Sequence, residues 1–247
     1  MAPPTDLRAA FERDGYAIVR GAIPPQEISR ISAAFDELIA IARTLPATAD
    51  VGQARFVVEA EPFKLHRVVW CGGANRTLAE LGGDPRFVDL AKIVLGPGPL
   101  VQLIQQAHFK LPGDGVDFAW HQDASNRRYG SELWTDVDGR GSFVQLALAV
   151  DPMGAKNGGL KVIPGSHRGG FVADPNTGAL PADRFNPSDA IDPVLEPGDV
   201  LLFGPFLIHG SAANFSDGPR RLLLQGYALP GANHRIYPGC GLGVVRP

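Results

Sequence analysis

Helical periodicity stops at Pro99, and that switch limits the folds open to this chain more than any single motif does. Before it lie segments with apolar residues at helical spacing; after it the apolar residues fall into short runs broken by Gly and Pro. The runs are Leu100 to Leu111, Phe118 to His121, Phe143 to Asp151, Leu160 to Ile163, Val200 to Phe203, Leu207 to His209 and Leu222 to Leu229. They have strand length and are rich in Val, Ile, Leu and Phe. The 30 Gly and 22 Pro supply the turns that such an array needs. Helices first and strands afterwards predict helices buttressing one face of a double-sheet fold.

The helical part can be read in more detail. Thr5 or Asp6 can cap a short helix that stops at Asp14-Gly15, ahead of an edge strand from Tyr16 to Ile23. Pro24-Pro25 opens the clearest helix, with Ile28, Ile31, Phe35, Leu38, Ile39 and Ala42 on one face until Leu45-Pro46. Strands follow around Phe56 to Val58 and Phe63 to Trp70. Asp84-Pro85 then starts a second amphipathic helix, which Gly96 ends. The expected class is mainly β with flanking α-helices, around a double-stranded β-helix (jelly-roll, cupin-like) core. With 247 residues, 45% of them hydrophobic, one domain holds it all. Residues 1–98 would buttress a β core at 99–230, with 231–247 as a tail. Two turn-rich stretches, 124–141 and 168–193, are long enough to be pocket walls or lids.

A formal charge of −3 and the absence of any Lys/Arg tract leave no footprint for a nucleic-acid backbone. Two distant cysteines, Cys71 and Cys240, fit neither a disulfide framework nor a paired-cysteine metal motif, so a reducing cytoplasm is expected. The start lacks a basic and apolar leader, and no apolar run approaches the ~18 residues of a membrane span. The sequence carries no signature of oligomeric state.

Chemistry concentrates at His121-Gln122-Asp123 and His209. In an extended strand residues i and i+2 share a face, so His121 and Asp123 project together while Gln122 turns away. Two imidazoles and one carboxylate on one face of a metal leave the other positions open, the pattern of non-haem Fe(II) oxygenases rather than of a closed zinc site. A lone His-X-Asp also occurs in surface turns. The two halves must meet through the fold.

Further segments make the pattern specific. They are Asp14-Gly15-Tyr16-Ala17-Ile18-Val19-Arg20-Gly21, Trp120-His121-Gln122-Asp123, the stretch from Asn157 through Gly158-Gly159 to Pro164-Gly165-Ser166-His167, Glu196-Pro197-Gly198-Asp199-Val200, and His209-Gly210-Ser211-Ala212-Ala213-Asn214, with Arg220 eleven residues beyond His209. In this order they resemble the phytanoyl-CoA dioxygenase family of Fe(II)/2-oxoglutarate oxygenases, which includes ectoine hydroxylase and bacterial small-molecule hydroxylases. The resemblance spans most of the chain. It implies iron on His121, Asp123 and His209, with Fe(II), 2-oxoglutarate and O2 as cofactors and co-substrates. Arg220 would bind the distal carboxylate of 2-oxoglutarate, where a guanidinium offers paired, charge-assisted hydrogen bonds. Neighbouring strand residues face opposite ways, so Arg221 is expected to be a solvated or surface-paired arginine. Lys64, Gln106, His108 and Ser211 would complete the co-substrate site. Ala147, where relatives often carry an aromatic, implies a reshaped pocket.

The implied reaction is hydroxylation of an unactivated C–H bond in a small metabolite, 2-oxoglutarate leaving as succinate and CO2. An aspartate at position 123 fits hydroxylation, because related halogenases have a small residue there to admit chloride. Arg127, Arg128 and Tyr129 follow the ligands and suggest an anionic substrate; Trp134, Phe203, Phe206, Gln225 and Tyr227 are candidate walls. Acyl-CoA is disfavoured because no basic cluster suits its phosphates. His66, His167 and His234 are expected in structural or loop positions. Desaturation or cyclisation by the same chemistry stays open as an alternative, as do a cupin-type metal enzyme that oxidises nothing and an idle scaffold.

Overall fold

A computed structural model describes residues 4–247, with side chains from residue 7 onward. Helix α1 (Pro4–Asp14) already includes residue 4; the Thr5 and Asp6 side chains expected to cap it lie outside the described residues. Gly15, with φ of +82°, turns the chain into β1 (Tyr16–Val19); a Cβ there would collide with the His167 ring. The strand ends before Ile23 because Asp199 bonds the Gly21 N–H (2.8 Å) and Arg20 (2.6 Å), pinning a turn.

Helix α2 (Pro25–Ala42) has Pro25 in its first turn and buries Ile28, Ile31, Phe35, Leu38 and Ala42. Strands β2 (Ala49–Val51), β3 (Ala54–Glu59) and β4 (Lys64–Val69) follow. Helix α3 (Arg76–Gly82), too short to show periodicity in sequence, is capped by the Asn75 side chain, which accepts from Leu78 N at 3.1 Å. Helix α4 (Pro85–Leu95) begins on Asp84, whose carboxylate accepts from Arg86 N at 2.9 Å. The remaining elements are β5 (Leu100–Lys110), β6 (Phe118–His121), α5 (Asp123–Asn126), β7 (Phe143–Ala149), β8 (Lys161–Val162), β9 (Val200–Phe203), β10 (His209–Ser211), β11 (Arg220–Ala228) and β12 (Val244–Arg246).

The larger antiparallel sheet has the order β1-β9-β7-β11-β5-β4-β3-β2, with β12 added alongside β5; the smaller runs β6-β10-β8. Together they form the double-stranded β-helix. The helices cover the outer face of the larger sheet, where Phe35, Leu38 and Phe87 pack with Leu223 and Tyr227. Burial of each such side chain contributes about 1.5–3 kcal/mol. On the inner face Leu103, Ala147, Leu201, Leu207 and Leu222 pack in a second cluster. β7 is therefore buried on both faces, which is why it reads as an apolar run broken only by Gln145 rather than as an alternating one.

The tail at 231–247 is pinned down. β12 pairs with β5, and Arg246 donates to Gln102 Oε1 at 2.7 and 2.9 Å. Arg235 and Tyr237 are thereby carried back to the inner mouth of the β core. Among the described residues no helix is long and apolar enough to cross a membrane.

Candidate iron centre

The two halves of the motif meet as cross-strand partners. In the smaller sheet His209 of β10 pairs with His121 at the end of β6. Their rings lie 4.2 Å apart between centroids. Asp123 is not on the strand, as strand alternation alone predicts, but opens the short helix α5, with extended Gln122 between. The carboxylate still turns inward: His121 Nε2 and Asp123 Oδ1 are 3.7 Å apart, and one ligand atom from each of His121, Asp123 and His209 lies within 4.8 Å of the others.

Local hydrogen bonds orient this set. His121 Nδ1 is 2.8 Å from Ala119 O, and His209 Nδ1 is 2.9 Å from Leu207 O. A carbonyl can only accept, so each Nδ1 carries the proton and each Nε2 presents its lone pair to the centre. Asp123 Oδ1 accepts from Asn126 at 3.3 Å, while Oδ2 is buried without a hydrogen-bond partner. Burial opposes ionisation of Asp123, but His209, His121 and Arg127 outweigh it and hold the carboxyl below its usual range. Burial, reinforced by His121, pushes His209 down to about 4, so its imidazole is neutral. The two inward-facing imidazoles and an ionised, under-bonded carboxylate fit a divalent first-row metal with positions left for other ligands. Gln122, facing away, donates to Gly170 O (2.8 Å) and Phe206 O (2.7 Å) and accepts from Val172 N (2.9 Å) and Ala173 N (3.2 Å).

A cavity of about 920 Å³ opens over the three ligands. Arg220 lines it, fully buried; burial brings its guanidinium down to about 10, and no side-chain hydrogen bond holds it. Beside it in register on β5 is Lys110, which sequence reading missed. Lys110 is buried and donates to Ser211 Oγ at 2.6 Å and to Ala212 O. Burial first, then Arg220, bring it down to about 7. Its signal lay in strand parity: Ile104, Gln106 and His108 face the cavity, and Lys110 continues the same face of β5.

Other expected positions divide. Gln106, His108, Ser211, Arg127, Arg128 and Phe203 line the cavity. His108 is held neutral, burial and then Arg67 pushing it well below its ordinary value, and its Nε2 is 3.0 Å from Gln106 Oε1. Lys64 does not line it: its Nζ lies 3.3 Å from Glu59, and β4 offers Arg67 and Val69 instead. Tyr129 and Trp134 support the wall from behind, Tyr129 OH donating to Asp136 (2.9 Å) and Trp134 Nε1 to Gly141 O (3.2 Å). Tyr227 and Gln225 share the face of Arg221, opposite Arg220, and point at the helices. Ala147 packs between the sheets, and its neighbour-but-one Gln145 is what reaches the cavity. Arg221 is not solvated: it is buried, grips Asp151 through two bonds of 2.8 Å and holds Asp36 at 2.7 Å, clamping α2 to β11. The basic cluster that no single segment shows forms in space, from Arg55, Arg67, Arg127, Arg128 and Arg235.

This fold and this ligand set define a non-haem iron dioxygenase that works with 2-oxoglutarate and O2. The family model for phytanoyl-CoA dioxygenase (PhyH) matches residues 11–222, and the chain belongs to that family. It is 30% identical over 236 residues to the ectoine dioxygenase of Nocardia farcinica, covering 86% of this chain and 73% of that one. It is 24% identical over 236 residues to the multifunctional dioxygenase ausE of Emericella nidulans, covering 90% of this chain and 72% of that one. Among solved structures, apo EctD from S. alaskensis superposes with a TM-score of 0.73 at 25% identity, covering all of this chain (100%) and 83% of its own. The carbocyclase SnoK of nogalamycin biosynthesis shares the fold, with a TM-score of 0.74 at 17% identity over 98% of this chain and 96% of its own.

Proposed function

We propose that this dioxygenase hydroxylates an unactivated C–H bond of a small metabolite, with the whole chain acting as one domain. Iron held by His121, Asp123 and His209 supplies the oxidising power once 2-oxoglutarate and O2 are bound, 2-oxoglutarate leaving as succinate and CO2. The protein's part is to hold and orient. His121 and His209 keep their Nε2 lone pairs inward through the Ala119 and Leu207 carbonyls. Arg220 has a free guanidinium for the distal carboxylate of 2-oxoglutarate, and Lys110 and Ser211 stand beside it. Phe203, against the His209 ring at 4.8 Å, with Leu222 and Leu224, gives the cavity an apolar wall that restricts water near the metal.

The observation that carries this reading is the buried, unpartnered Arg220 in the same cavity as an ionised Asp123 and two oriented imidazoles. A metal site for isomerisation or hydrolysis has no need of a buried guanidinium free to take a second carboxylate. The oxidised substrate retains its size class: the relatives named ectoine dioxygenase act, by name, on a small molecule. The test is a metabolite panel with 2-oxoglutarate and Fe(II), scored by succinate release and by mass. A turnover that yields succinate and a product heavier by one oxygen in equal amounts is expected. A product lighter by two hydrogens would replace hydroxylation with desaturation or ring closure, and turnover without succinate would overturn the assignment.

A further inference from the structure

Resting on that reading, the structure also indicates what kind of molecule enters the cavity. Asp123 is the one acidic residue lining it among the described residues, against arginines at 55, 67, 127, 128, 220 and 235. With iron and the co-substrate in place, their opposite double charges cancel, and Arg220 is matched against Asp123. Arg55 is met at the rim by Asp50, at 3.3 Å. The surplus that remains is cationic.

Arg127 is its deepest member. It caps the C-terminal end of α5, four residues beyond the iron ligand Asp123, and is 7% exposed, yet its guanidinium has no hydrogen-bond partner; Nε and Nη1 are both buried and unsatisfied. Its guanidinium carbon lies over the rings of Phe143, 5.0 Å from the centroid, and Tyr237, 5.1 Å from the centroid. Arg235 lies against the same Tyr237 ring at 5.1 Å, fixed by a bond from Nη1 to Asn126 O of 3.1 Å. Tyr237 OH and Ser125 Oγ, also lining the cavity, are buried without partners as well. Aromatic faces sustain a buried cation but leave its edge donors unmet. A guanidinium held over two rings, with two unpartnered hydroxyls lining the same cavity, is a receptor for an oxyanion.

We propose that Arg127 anchors the substrate, so that the molecule oxidised here carries a carboxylate, phosphonate or phosphate group seated against Arg127, with Tyr237 and Ser125 donating to it and Arg235 reinforcing the field. The anchor is separate from Arg220, which serves the co-substrate. The acid must therefore lie at one end of the substrate while the carbon to be oxidised reaches the iron.

The test is calorimetric titration of the 247-residue chain, loaded anaerobically with Fe(II) and 2-oxoglutarate, with benzoate, phenylphosphonate and neutral benzamide as probes. The acids are expected to bind at least about tenfold more tightly than the amide, benzoate and phenylphosphonate together showing which acid group the anchor prefers. Arg127→Gln should weaken the acids by at least about tenfold. Arg127→Lys should restore part of the loss. Tyr237→Phe, which keeps the stacked ring, should cost a few-fold. Benzamide binding as well as the acids, no acid binding to the wild type, or Arg127→Gln binding like the wild type would each overturn the proposal. The same titration on metal-free chain separates it from the iron reading: loss of acid binding in Arg127→Gln but not in Arg220→Gln supports the anchor whether or not iron binds, and the reverse pattern contradicts it.

Discussion

Asp123 Oδ2 and Arg220 Nε are buried polar atoms with nothing to bond, and each left so costs a folded protein about 1–3 kcal/mol. Groups kept in that condition are explained by what binds them. Asp123→Ala should reduce iron-dependent succinate formation to background. Arg220→Ala should raise the 2-oxoglutarate concentration for half-maximal rate by about 10–100-fold, the worth of a charge-assisted pair; both follow from steady-state succinate assays. Lys110 adds a pH signature. Its folded pKa is about 7 against an ordinary 10.5, so across that window the unfolded chain holds a proton that the folded chain lacks. Stability of the metal-free protein should therefore rise with pH through this window, and the penalty is fully present below it. In Lys110→Met that part of the slope disappears, as denaturant unfolding at a series of pH values would show. An anion at Arg220 relieves the repulsion on Lys110, so 2-oxoglutarate should bind with proton uptake near pH 8, visible as buffer-dependent heats in calorimetry.

At the scale of elements, the site depends on the smaller sheet and on Gln122. Strand β10 sets His209 against His121, and the Gln122 amide fastens the segment at 170–173 to the turn before β10. Gln122→Ala leaves two carbonyls and two N–H groups without their partner, and should lower stability by about 2–3 kcal/mol while speeding proteolysis within 168–193. Much of this architecture was legible in the chain. The Pro99 switch placed helices and strands, Asp84-Pro85 marked a helix start, and parity separated Arg220 from Arg221. Parity also decides against Tyr227, an odd number of residues from Arg220, and in favour of Lys110 on the face of Gln106 and His108. Lys64 misled because it stands at the start of β4, where Glu59 takes its Nζ at 3.3 Å, while Arg67 and Val69 farther along the strand line the cavity. Short elements such as α3 and β12 give too few residues for any period to show.

For the whole molecule, what could not be read in advance is convergence. Arg55, Arg67, Arg127 and Arg235 lie on β3, β4, the α5 end and the tail, and no sequence window holds them together; closure of the β core does. The same closure makes the metal a stabiliser of the native state alone. A divalent metal at about 100 times its dissociation constant should add about 2.7 kcal/mol, seen as a raised Tm that chelation reverses. The most direct measurement of the central claim is an anaerobic visible spectrum of the protein with Fe(II), before and after 2-oxoglutarate. A weak metal-to-ligand charge-transfer band should appear on adding 2-oxoglutarate and be missing in His209→Ala. No band in the wild type, or an equal band in His209→Ala, would contradict the iron centre described here.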